Sequence, residues 1–308
     1  MPSTRIIFMG TPEFAVPSLE LLIAHNYPIA AVVTAPDKPR NRGRRVTPSP
    51  VKLVAENYQI PVLQPTNLKD TAFLDILKRQ QADLYVVVAF RMLPKAVWSI
   101  PRLGTFNLHA SLLPAYRGAA PINWAVINGE PVTGVTTFFV EESIDTGHIL
   151  FQDKESIYPQ DTAGTLHNRL QHKGAQLVLH TVGAIEQGRY TRTPQAPTSE
   201  ELLKTAPKVH KEDCRINWNQ KATAVVNFIR GLSPLPAAWS LLNGQVYKVL
   251  AVKSVPEAST TLLPGRIHSD GKHYIHVGTQ SSSVALQTLQ KPGKKPLQVA
   301  DFLRGNQL

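Results

Sequence analysis

Along the first 190 residues, short runs rich in Ile and Val alternate with stretches whose apolar positions recur at helical spacing. RIIFMG (5–10) reads as a buried strand, and PSLELLIAHN (17–26) sets its apolar residues three and four apart. IAAVVTA, IPVLQ and DLYVVVAF read as further strands, with helices over residues 50–58 and 70–80 between them. Repetition of strand, helix and strand predicts an α/β domain with a mostly parallel sheet covered by helices. VTGVTTFFVEE and DTGHILFQDKESI predict two strands joined by a short turn-rich loop, and a long helix over 161–187 closes the unit. The stretch 191–213 holds three prolines and few large apolar residues, which marks a linker. Beyond it the pattern changes to one helix, KATAVVNFIRGL, and then short strands: QVYKVLAVKSV, GRIHSD, KHYIHVG and SSVALQTLQ. Short strands at close spacing predict a small β-barrel or sandwich, with a barrel of the oligonucleotide-binding type as one candidate. The expected division is therefore a first domain over 1–190, a linker over 191–207 and a second domain over 208–308.

Composition adds two constraints. The single cysteine, Cys214, rules out an internal disulfide framework and any site built from several thiolates, and reads as a small filler residue. The N-terminus has no signal-peptide pattern and no apolar run approaches a membrane span, so the expectation is a cytoplasmic protein with no membrane partner. Charge is distributed unevenly: residues 191–308 hold 15 Lys and Arg against 7 Asp and Glu, a balance of +8, whereas residues 1–190 hold 18 against 15, a balance of +3. A basic C-terminal part fits an acidic partner such as nucleic acid, and fits solubility alone equally well.

Four stretches carry candidate chemistry. MGTPEF (9–14) follows the first strand where a phosphate-binding turn would sit, but its one glycine, Gly10, is too few for a dinucleotide fingerprint, so it reads as a plain strand-to-helix turn. DKPRNRGRRVTPSP packs Lys38, Arg40, Arg42, Arg44 and Arg45 into eight residues. Arginine suits bidentate phosphate contact, and such a loop can close over an RNA end or simply be a charged surface loop. In TFNLHASLLPAYRG, Asn107 and His109 lie two apart in a strand and so share a face, at the strand end where open α/β sheets bind ligands. The pair suits an oxyanion stabiliser beside an imidazole acting on a carbonyl through a tetrahedral intermediate. It also suits a His109–Ser111 nucleophile pair, a metal site, or polar residues satisfied within the core. No nucleophile-elbow pattern or helical His-Glu spacing supports the second or third reading. Asp145, in VEESIDTGHIL, supplies a carboxylate that would favour the imidazolium if it lay near His109, or would cap its own turn.

These stretches resemble the 10-formyltetrahydrofolate-dependent formyltransferases over nearly the whole chain: GTPEFAVP, the basic loop ending TPSPVK, NLHASLLPAYRGAAPINWAVINGE, IDTG, RINW, PLPAAW and KPGKKPL. The length and basic second domain single out the branch that acts on methionyl initiator tRNA. The resemblance implies a Rossmann-like formyltransferase domain followed by an oligonucleotide-binding-like domain, working as a monomer in translation initiation. It implies 10-formyltetrahydrofolate as the formyl donor, no metal, and direct attack by the α-amino group of the esterified methionine. Asn107, His109 and Asp145 match the family's catalytic trio. Ser111, Leu112, Leu113 and Pro114, with Phe90, Arg91, Met92 and Leu93, match the walls of its folate pocket. Glu141, Glu142, Ser143 and Ile144 match the loop flanking the pterin. Phe14 matches a position near the methionine side chain. Arg42 and its neighbours match a loop that meets the acceptor stem, Lys208 a linker lysine, and Lys291, Lys294 and Lys295 contacts to the RNA backbone. One stretch departs from the family pattern: AFRMLP (89–94) is a residue shorter than usual and lacks its glycine.

Overall fold

The computed structural model describes residues 3–40, 45–195, 203–255 and 262–306. It contains two compact units, the first built from 1–118, 133–155 and 167–204, the second from 119–132, 156–166 and 205–308. In chain order the strands of the first part are β1 Ile6–Gly10, β2 Ile29–Val33, β3 Lys38–Arg40, β4 Arg45–Thr47, β5 Val62–Leu63, β6 Leu84–Val88, β7 Thr105–His109, β8 Arg117–Gly118, β9 Val132–Phe139 and β10 Ile149–Ser156. Six helices accompany them: α1 Val16–Ala24, α2 Pro50–Asn57, α3 Thr71–Arg79, α4 Lys95–Trp98, α5 Pro121–Ile127 and α6 Ala163–Glu186.

The main sheet of the first unit runs β10-β9-β7-β6-β1-β2-β5. Its pairs β1/β2, β2/β5, β1/β6 and β6/β7 are parallel, and β9 joins β7 antiparallel. The predicted α/β sheet is present, with chain order reversing between β1 and β6. β1 and β6 are buried along their whole length, as the unbroken apolar runs require of strands covered on both faces. Helix starts follow ordinary capping: Ser49 accepts from the Lys52 amide (3.1 Å) and Asp70 from that of Ala72 (3.0 Å). Gly10 serves packing, since a Cβ there would lie 2.8 Å from that of Ala15. Within the basic stretch, read as a loop, β3 instead pairs antiparallel with β4 in the register Lys38↔Thr47, Pro39↔Val46 and Arg40↔Arg45, the residues between them lying outside the described ones. The root of this pair is held by Asp37, whose carboxylate takes Lys52 Nζ at 2.5 Å and Gln64 Nε2 at 2.7 Å.

The second unit carries β11 Thr205–Ala206, α7 Ala222–Leu232, β12 Ala238–Leu242, β13 Gln245–Val255, β14 Ile267–Ser269, β15 Ile275–Gly278, β16 Ser283–Gln290, β17 Leu297–Gln298 and α8 Val299–Leu303. Its sheet runs β12-β13-β16-β15-β14, with β17 beside β16, and the pairs β12/β13, β13/β16, β14/β15, β15/β16 and β16/β17 are antiparallel. Register shifts around Ala251 bend the long β13, which lets the sheet curl in the oligonucleotide-binding manner. The core is one apolar cluster in which α7 packs Val225, Ile229 and Leu232 against Tyr247, Val249, Ile275, Val277, Val284 and Leu286. Each such fully buried aliphatic side chain stabilises by about 1.5–3 kcal/mol relative to exposure. Cys214 lies in this cluster, its thiol on the His210 carbonyl and pushed up in pKa by burial, as a filler residue requires. β12, β17 and α8 were not visible in the hydrophobic pattern. No helix among the described residues is long and apolar enough to cross a membrane.

Candidate active site

Strand β7 delivers Asn107 and His109 to the carboxyl end of the parallel sheet. Leu108, between them, faces the other way, against Gly174 of α6, where an added Cβ would lie 2.6 Å from the leucine side chain. Helix α6 thus covers the Leu108 face, and the polar pair faces the opposite side. Val87 pairs with Asn107 across the sheet. The apolar cluster on that side includes Met9, Tyr85, Val87 and Leu93, with Phe90 packed against it.

His109 is buried, and its Nε2 lies 2.8 Å from the carbonyl oxygen of Tyr116. A carbonyl only accepts, so Nε2 carries the proton, and Nδ1 is left for chemistry. On the Nδ1 side stands Asp145, its Oδ2 at 3.8 Å, an ion-pair distance too long for a direct hydrogen bond. With Nε2–H committed to Tyr116, His109 can donate from Nδ1 only as the imidazolium, and Asp145 is the counter-charge placed for that form. Asn107 is half-buried, and its side-chain amide makes no hydrogen bond among the described residues. A free amide at a strand end, beside an imidazole with one open nitrogen, fits a ligand carrying a polarisable carbonyl oxygen.

The loop that brings Asp145 in is built by contacts the sequence did not disclose. Asp145 has φ +54°, in the left-handed region, which aspartate tolerates better than most residues. Gln195 holds it there: its Nε2 donates to the carbonyls of Asp145 (2.8 Å) and Gly147 (2.9 Å), while its Oε1 accepts from Arg117 Nε (3.0 Å) and Nη2. The Asp145 carboxylate also accepts from the Gly118 amide at 3.0 Å. Gly147 is obligatory, since an added Cβ would lie 1.8 Å from the Phe139 carbonyl oxygen. Gln195 sits in the stretch read as linker. That stretch begins on the first unit, where Thr193 and Ile149 exchange backbone hydrogen bonds.

The SLLP turn is equally fixed. Ser111 is fully buried and its Oγ donates to the Ala115 carbonyl at 2.6 Å, which removes it as a nucleophile. Thr136 takes the Leu113 amide and donates to the Ser111 carbonyl, and Gln152 donates to the Leu113 carbonyl at 2.9 Å. Leu113 is buried, while Leu112 and Pro114 are half-buried.

Other predicted contacts are dispersed. In the shortened segment, Leu93 and Phe90 pack into the apolar cluster, Arg91 donates to the carbonyls of Thr66 and Pro65, and Met92 stands 72% exposed. Glu141, Glu142, Ser143 and Ile144 form an exposed loop, in which Glu141 accepts from His148 Nδ1 at 2.6 Å. Phe14 is buried edge-on to His167, with centroids 5.1 Å apart. Lys38, Arg40 and Arg45 lie in strands β3 and β4, and Arg42 and Arg44 fall outside the described residues. Lys208, Lys294 and Lys295 are exposed with no side-chain partner among the described residues, but Lys291 is half-buried and bonded to Asn306. Among the described residues no three His, Cys, Asp or Glu side chains gather as metal ligands do.

Residues 4–182 match the family described as Formyl transferase, and residues 208–307 its C-terminal domain. The methionyl-tRNA formyltransferase of Bacteroides fragilis is 50% identical over 98% of this chain and 94% of its own. Those of Flavobacterium johnsoniae (48% identical, 99% of this chain, 97% of its own) and Syntrophus aciditrophicus (47%, 100% and 98%) are comparably similar. Among solved structures, the sugar 3N-formyl transferase WlaRD, crystallised with dTDP and 5-N-formyl-THF, shares the fold with TM-score 0.67 at 20% identity, over 95% of this chain and 99% of that one. HypX from Aquifex aeolicus in complex with tetrahydrofolic acid does so with TM-score 0.64 at 19% identity, over 97% of this chain and 46% of that one. The chain belongs to the formyl transferase family, and within it to the methionyl-tRNA formyltransferases.

Proposed function

We propose that this protein transfers the formyl group of 10-formyltetrahydrofolate to the α-amino group of methionine esterified to initiator tRNA. The observation that carries the reading is the unpartnered amide of Asn107 beside the open Nδ1 of His109, with Asp145 3.8 Å away. The folate supplies an activated formyl group. Asn107 Nδ2–H and protonated His109 Nδ1–H donate to the formyl oxygen as negative charge develops there under attack by the amine. Asp145 faces His109 as its counter-charge and relays the proton leaving the attacking nitrogen toward the departing folate nitrogen. A new N–C bond forms, the old one breaks, and the proton ends on the folate amine.

In this reading Ser111 to Pro114 and Phe90 to Leu93 wall the folate, the exposed loop Glu141 to Ile144 flanks it, and Phe14 lies near the methionine side chain. The buried Ser111 hydroxyl shapes the turn from within. Residues 1–190 carry out the transfer, 191–207 join the parts, and 208–308 hold the RNA. Lys208, Lys294 and Lys295, with Lys38, Arg40, Arg42, Arg44 and Arg45, meet its phosphates. Lys291, already bonded to Asn306, contributes through the turn it anchors. The enzyme is cytoplasmic and monomeric on this account.

The test is transfer of labelled formyl from 10-formyltetrahydrofolate to charged initiator tRNA, over a range of salt. Formylmethionyl-tRNA, with an acceptor KM that rises steeply with salt, is expected. Folate turnover without formylated tRNA would reassign the acceptor to a small amine.

A further inference from the structure

The second unit has an outer sheet face that the reading above leaves unused. Side chains alternate along β15 and β16: Ile275, Val277, Val284 and Leu286 point into the core, so His276 and Ala285 point out. Register then aligns one cross-strand row on that outer face, His268↔His276↔Ala285↔Lys253. Tyr274, two residues before His276, shares the face. Its ring lies 4.5 Å from that of His276 at 34° and 5.6 Å from that of His268 at 43°. Three tilted rings therefore form a short stack, with His268 exposed at its end and Ala285 leaving a low floor between the rings and Lys253.

Among the described residues of this face's strands, charge has one sign. The four strands β13 to β16 contain no acidic residue. The one carboxylate of the β14/β15 turn, Asp270, is consumed locally, accepting from the amides of His273, Lys272 and Tyr274 and from His273 Nδ1. Those bonds hold it well below the usual carboxylate range. Lys253 is exposed with no partner among the described residues. Burial pushes the His276 imidazole down from its ordinary value, so it stacks as a neutral ring at physiological pH.

We infer that this face, with the rings of His268, Tyr274 and His276 beside Lys253, binds an unpaired RNA base and its flanking phosphate. Rings receive a base whatever its identity because every base has a π-face, and a lysine in the same row meets the phosphate. The inference rests on the proposed RNA substrate but concerns a surface separate from Lys294 and Lys295, which lie on the turn between β16 and β17.

The test uses the full chain, an initiator tRNA transcript, and a 12-nucleotide single-stranded RNA carrying 2-aminopurine. Wild type should quench the probe. His268→Ala should lose most of the quench and weaken tRNA binding about tenfold, whereas His268→Phe should keep both. Tyr274→Ala against Tyr274→Phe repeats the contrast at a partly buried ring, and Lys253→Gln should lower the salt slope of tRNA binding by about 1. Absence of quenching by wild type overturns the inference. So does an alanine variant equal to wild type, as expected of a protein-docking face, or a phenylalanine variant as weak as alanine. Formyl transfer by wild type is scored separately: its absence with the quench intact removes the tRNA reading and leaves the surface.

Discussion

Asp145 and Lys294 are both charged side chains poised for a substrate, and the protein treats them in opposite ways. Asp145 is held at every point, with its carboxylate on the Gly118 amide, its carbonyl on Gln195, and Gln195 in turn on Arg117. Lys294 and Lys295 stand exposed on a turn tied through its backbone, the Lys294 amide on the Lys291 carbonyl and the Lys294 carbonyl on Gln290, with neither lysine side chain partnered among the described residues. The difference follows from what each is asked to meet. A developing oxyanion needs donors within a few tenths of an ångström, whereas phosphates are met by charge that works at range and tolerates motion.

The contrast is broken most severely at the strand end. Asn107→Ala and His109→Ala are each expected to lower kcat by about 10²–10³ while the fold survives, read by single-turnover formylation beside circular dichroism. Glycines sharpen it next. Gly147→Ala forces a Cβ onto the Phe139 carbonyl and should cost several kcal/mol of stability, about 3 or more, in urea unfolding. Gly271→Ala, at φ +73° with nothing within 4 Å, should cost only about 1 kcal/mol.

Loosening the clasp should be milder. Gln195→Ala is expected to reduce kcat about tenfold with little change in the folate KM, because it displaces Asp145 without touching substrate. A folate KM that rises with no loss of kcat would make Gln195 part of the pocket wall. On the basic side, replacing Lys294 and Lys295 together with Gln should leave kcat at saturating tRNA near wild type. The same change should flatten the log KM against log salt slope by about 2. The smallest effect is acid-dependent. Lys52 holds the Asp37 carboxyl below its ordinary value, so the stabilisation at the root of β3 and β4 is full above the unfolded carboxylate pKa, about 3.9, and fades as pH falls through the lower folded value. Limited proteolysis at strands β3 and β4 should therefore stay slow at pH 4 in wild type and be faster there in Lys52→Met.

What could be read in advance divides along the same line. Strands β1, β6 and β7 and the long α6 follow from local pattern, because unbroken Val and Ile runs and helical spacing are properties of neighbours in the chain. The shared face of Asn107 and His109 follows from the two-residue period of a strand. The role of Gln195 does not, since a glutamine between prolines looks like linker until the fold brings it to a loop 50 residues earlier. Tyr116 contributes only a carbonyl, which every residue owns. The β3/β4 pair was hidden by its charges, whose density outweighed the strand signal. The row from His268 to Lys253 exists only through cross-strand register, which no single strand encodes.

The most direct measurement is the single-turnover rate of formyl transfer to charged initiator tRNA by wild type, Asn107→Ala, His109→Ala and Asp145→Ala, with folate affinity measured on each. The account predicts product from wild type, a fall of at least about a hundredfold in all three variants, and folate binding retained. Rates near wild type in Asn107→Ala and His109→Ala would contradict it, because the strand end would then be a satisfied piece of core and the chemistry would lie elsewhere.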